Sequence, residues 1–115
     1  MNKLLLLTAI IITAGCVSKK ITSSAATNGP TQTDVDRVKS KYPDLTLSEL
    51  NNGKIFYEKH CGTCHALKKP TSETEQEWNK IVPKMVVKVN KKEGNVLDAA
   101  AQESILRYVV TMGGK

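Results

Sequence analysis

Four of the chain's five cysteine and histidine residues fall within six consecutive positions, His60-Cys61-Gly62-Thr63-Cys64-His65. Cys61, Cys64 and His65 make the pattern Cys-x-x-Cys-His, which is the attachment signature of a c-type haem. The two thiols add to vinyl groups of the porphyrin, and the adjoining imidazole supplies the proximal iron ligand. Two intervening residues let both sulfurs reach neighbouring pyrrole rings from one turn of chain. A bare Cys-x-x-Cys also serves as a redox dithiol or as half of a zinc site. A zinc site needs four ligands, and outside the motif only His60 and the distant Cys16 remain. A thioredoxin-like dithiol needs a strand leading into a helix, and no strand pattern precedes Cys61. One covalent haem is therefore the expected cofactor.

Helices must position these groups. Thr46-Leu47-Ser48-Glu49 has the form of a capping box, and Leu47, Leu50, Gly53 and Phe56 follow at helical intervals, so a helix is predicted to run into the motif. Asp98 can cap a last helix whose apolar face holds Ala101, Ile105, Tyr108, Val109 and Met112, with Gly113-Gly114 as its stop. Gly53 allows close approach and is predicted to meet that helix near Tyr108. A middle helix is predicted from about Ser72 or Thr74, with Trp78, Ile81, Val82 and Met85 on one face. Pro83 lacks an amide hydrogen and disfavours helical geometry at Val82, so this helix is expected to end or kink just before Met85. No internal repeat is visible.

The sixth iron position has three candidates, Met85, Met112 and His60. His60 adjoins the first attachment cysteine, on the proximal side, and is expected to be solvated. Met112 completes the stripe of the last helix, where methionine serves as a core filler. Met85 can equally be one residue of a core face, but Pro83 is expected to free it from regular packing. The choice bears on function. Closed histidine and methionine ligation suits electron transfer, whereas an open distal side suits gas binding or peroxidase-like chemistry. Lesser expectations concern two neighbours of the site. The carbonyl next to Pro70 is a candidate acceptor for the outer ring hydrogen of His65, and Trp78 either packs on the porphyrin, donates its indole N–H to a propionate, or is ordinary core.

The amino terminus reads as a targeting segment. A short basic start is followed by an apolar run over 4–12, which is too short to span a bilayer, and then by Thr13-Ala14-Gly15-Cys16. That stretch resembles the lipobox of bacterial lipoproteins, although Thr13 stands where leucine is more usual. The resemblance implies an acylated Cys16 and a lipid anchor on the periplasmic side of a bacterial membrane. Three segments are expected: a signal peptide over 1–15, a lipidated cysteine and flexible tether over 16–33, and a folded domain over 34–115. The tether is rich in Ser, Thr, Ala, Asn, Gly and Pro and has little to bury. As a coil it spans roughly 20–25 Å.

Loss of residues 1–15 removes Lys3 and lowers the formal net charge from +6 to +5. Basic residues spread along the chain suit redox partner proteins with acidic docking surfaces, approached by steering that weakens with salt. Nucleic acid is excluded as a partner, because the aromatics are few, no basic run exceeds a pair and the protein is expected to be exported. Lys68-Lys69 and Lys91-Lys92 read as solvated surface.

Taken in order, Pro43, Leu47, Leu50, Gly53-x-x-Phe56, Cys61-x-x-Cys64-His65, Pro70, Trp78, Met85, Leu97 and Tyr108 resemble the single-haem class I cytochrome c family, particularly its small bacterial forms. The resemblance covers roughly residues 34–115. It implies an all-α cytochrome c fold of three to five helices wrapped around one haem, with Met85, after the tryptophan helix, as the methionine ligand. It also implies a monomeric electron carrier and not an enzyme.

Overall fold

The computed structural model describes residues 29–114, and the expected signal peptide, the acylated Cys16 and most of the expected tether lie outside them. The described residues are all-α, with no strand among them. Four helices follow in order: α1 (Gln32–Arg37), α2 (Leu47–Phe56), α3 (Glu75–Glu93) and α4 (Ala99–Gly113). A π-helical turn, Tyr57–Cys61, continues α2 into the motif, and a 3-10 turn, Pro70–Ser72, precedes α3.

Each helix starts where its side chains satisfy the free amides of the first turn. Thr46 with Glu49 caps α2, and Thr74 with Glu77 caps α3, each as a reciprocal capping box. Asp98 Oδ1 accepts the Ala101 amide at 2.8 Å and opens α4. A further box, Thr31 with Asp34, starts α1 at Gln32, inside the stretch expected to be tether. The folded part therefore begins before residue 34. The reason is local: the box holds a helical turn that buries Val35, while Arg37 reaches across to accepting carbonyls of Thr111 (2.8 Å) and Gly114 (3.0 Å) at the end of α4.

The core lies where α2 and α3 pack on α4. Leu50, Trp78, Val82, Ile105 and Val109 are at most 1% exposed, and burial of a side chain of this kind contributes about 1.5–3 kcal/mol. Gly53 meets α4 as predicted. A Cβ at that position would lie 2.1 Å from the Ser104 carbonyl oxygen and 2.8 Å from the Tyr108 Cβ, so the two backbones approach as closely as only glycine permits.

The expected end of α3 before Met85 is overturned. The helix runs unbroken through Pro83 to Glu93 and does not end before Met85. An interior proline costs about 3 kcal/mol, through a lost hydrogen bond and a clash with the preceding turn. Tertiary packing outweighs that cost, because Trp78, Val82, Val86 and Val89 keep helical spacing on both sides of the proline and are all buried. Past Glu93, Gly94 adopts a left-handed conformation (φ 85°) that closes the helix. Asn90 then fixes the connection to α4: its Nδ2 donates to the Leu97 carbonyl at 2.7 Å and its Oδ1 accepts the Leu97 amide at 2.9 Å.

Candidate functional site

The π-helical turn delivers the motif. Its wider winding buries Tyr57, His60 and Cys61 on one side, and such turns recur at functional positions. Tyr57 is central to this. Its ring lies edge-on to Trp78, 6.0 Å between centroids, and tilted against Tyr108 at 5.9 Å. Its hydroxyl donates to the Lys68 carbonyl at 2.7 Å, and burial pushes that hydroxyl's pKa up to about 12. The segment after the motif is thus pinned from beneath. Trp78 holds the next point, donating its indole N–H to the Pro70 carbonyl at 2.9 Å. Trp78 is fully buried core.

The Pro70 carbonyl therefore serves Trp78 and not His65. His65 Nδ1 instead faces the Ala66 carbonyl at 2.8 Å. A carbonyl only accepts, so in the neutral ring Nδ1 carries the proton and Nε2 presents its lone pair, the tautomer that ligates a metal.

Cys61, Cys64, His65 and Met85 line one hollow of about 100 Å³, together with His60, Lys88 and Val89. Met112 is not among its lining residues; both methionines are half-buried against the apolar core, and only Met85 also reaches the hollow. Cys61 is buried, which pushes its thiol up to about 11 and makes it a poor nucleophile as it stands. Cys64 is exposed, with Lys92 Nζ 3.9 Å and Thr63 Oγ1 3.8 Å from its sulfur. His65 is also exposed.

His60 departs from expectation. It is buried, not solvated, and its Nδ1 lies 2.6 Å from Glu93 Oε2 at the end of α3. A partner 33 residues away supplies the polar contact that makes burial tolerable. No family model, curated protein or solved structure matches the chain.

The donor set suits a c-type haem: two thiols at the attachment spacing, a correctly tautomerised imidazole and a thioether share one hollow. Its volume is below the roughly 300–1,000 Å³ of ordinary ligand clefts. Holding a porphyrin therefore requires residues 62–69, which carry no regular element, to reposition.

Tyr57, Asn90 and Glu93 are the positions that sequence reasoning missed. Tyr57 was within reach, since it extends the Leu50 and Gly53 stripe by one further turn. Asn90 and Glu93 act through partners distant in sequence, and nothing local marks them.

Proposed function

We propose that the chain is an electron-transfer protein carrying one covalent haem c, attached through Cys61 and Cys64, with His65 and Met85 as axial ligands in a cytochrome c fold. What carries this reading is the convergence of Cys61, Cys64, His65 and Met85 on one hollow. When bound, the haem supplies a reversible one-electron centre.

The chain's own residues hold and orient. Cys61 sits at the end of the π-helical turn, locked by the Tyr57, Trp78 and Tyr108 rings, while Cys64 and His65 lie on the adaptable loop. Met85 reaches the same hollow from α3, where the buried Val89 also lines it. His65 and Met85 would both hold the iron, which would leave it no position for substrate. We further assign Cys16 as a lipidated anchor and acidic redox proteins as partners, met by a monomer at the outer face of a bacterial membrane. No helix among the described residues is long and apolar enough to cross a membrane.

The test is the full chain produced in an exporting bacterium able to attach haem. One haem per chain that survives denaturation, and its loss in Cys61→Ala/Cys64→Ala, is expected. The oxidised protein should show the weak near-infrared sulfur-to-iron band, lost in Met85→Ala and retained in Met112→Ala. Absence of haem sinks the proposal, and rapid carbon monoxide binding to the reduced, unmodified protein would favour a gas-binding role instead. Cys16→Ser should release the protein from the membrane fraction.

A further inference from the structure

Helix α3, which carries Met85, is strapped to the motif segment at both ends. Near its start, Trp78 donates to the Pro70 carbonyl at 2.9 Å. In its last turn, Glu93 Oε2 meets His60 Nδ1 at 2.6 Å, and Lys92 Nζ donates to the Thr63 carbonyl at 3.4 Å. Thr63 Oγ1 in turn donates to the His60 carbonyl at 3.0 Å. Two consecutive residues of α3 therefore hold both edges of the turn that contains Cys61 and Cys64. Met85 lies between the two straps, about 10 Å along the helix from Trp78 and about 12 Å from Glu93 at 1.5 Å per residue.

We propose that the His60–Glu93 hydrogen bond is a positioning latch: it fixes the spacing between α3 and the Cys61-to-His65 turn, and so governs how firmly Met85 closes the distal side. The latch presupposes the haem and the Met85 ligation proposed above. His60 lines the hollow but has no part in the attachment or ligation proposed above, yet it is only 7% exposed. The bond is charge-assisted. The hydrogen bond from His60 holds the Glu93 carboxyl below the usual carboxylate range, so at neutral pH an ionised oxygen accepts from Nδ1–H. Lys92 and Thr63 are the other polar groups joining these two elements, and neither replaces the contact. Without it, the last turn of α3 keeps the longer Lys92 contact to the Thr63 carbonyl, at 3.4 Å, and the buried Val86 and Val89 to set its distance from the motif.

The experiment uses full-length holoprotein with Glu93→Ala and Glu93→Gln. In Glu93→Ala the sulfur-to-iron band should weaken, and carbon monoxide should bind the reduced protein roughly tenfold faster, the scale of losing one charged hydrogen bond. Haem content should stay unchanged. Glu93→Gln keeps an acceptor and should recover much of the band. Amide hydrogen exchange across residues 60–64 should quicken in Glu93→Ala, reporting the released turn without reference to redox behaviour. A lowered melting temperature with unaltered band and carbon monoxide rate would show a purely structural contact and overturn the latch while leaving the haem assignment intact. If unmodified protein lacks the band, the ligation fails and the latch with it.

Discussion

Replacing Gly53 with alanine tests the tightest contact that an added Cβ would meet at any described glycine. The added Cβ would sit 2.1 Å from the Ser104 carbonyl oxygen, 2.8 Å from its carbon and 2.8 Å from the Tyr108 Cβ. Ordinary contact begins at 3.4 Å, so α2 and α4 must part by about 1.3 Å at this point. The obstructing atoms are backbone or the root of a side chain, and no rotamer change relieves them. Overpacking of this kind costs about 1–3 kcal/mol and occasionally more. The helix preference of alanine over glycine returns about 1 kcal/mol. A backbone clash belongs at or beyond the upper end of the first range, which leaves a net loss of about 2 kcal/mol. For a domain of this size that lowers the melting temperature by about 8–16 °C. Far-ultraviolet circular dichroism melts of the full-length protein measure it, with Asn52→Ala, exposed on the same helix, as the control for propensity. A Gly53→Ala protein that melts at or above the unmodified temperature refutes the close-packed α2/α4 contact.

Other expectations follow from α3. Pro83→Ala restores an amide hydrogen and removes the ring from a helix that already runs through this position, so a gain of about 1–2 kcal/mol is expected, after allowing for the stiffness proline lends the unfolded chain; a lower melting temperature would mean that packing demands the bend a proline makes. Glu77 is held below the usual carboxylate range by bonds from the Thr74 amide and hydroxyl. Because its folded pKa is the lower one, its contribution is present above the unfolded pKa and fades as pH falls through the folded value. Melting temperature should therefore be level down to about pH 5 and drop below it, and Glu77→Gln should make that drop shallower; an unchanged acid slope would show that the capping box carries no pH dependence.

Much of the frame was legible because its causes are local. Thr46 with Glu49, Thr74 with Glu77, and Asp98 announce helix starts through side-chain bonds that span three residues. Leu50 and Gly53, and Ala101 with Ile105, Tyr108 and Val109, announce buried faces through spacing alone. The Cys61-x-x-Cys64-His65 motif is legible for the same reason, since it is defined by spacing within five residues. Tertiary structure decided what depends on neighbours far along the chain. Pro83 reads as a helix breaker in isolation, yet packing on α4 carries the helix across it. His60 reads as a solvated side chain until Glu93, 33 residues on, is brought to 2.6 Å. The Pro70 carbonyl is open to His65 until folding gives it to Trp78. Only folding brings Met85, and not Met112, to the hollow lined by the motif, because hydrogen bonds and burial between distant segments are energies that no single stretch of sequence contains.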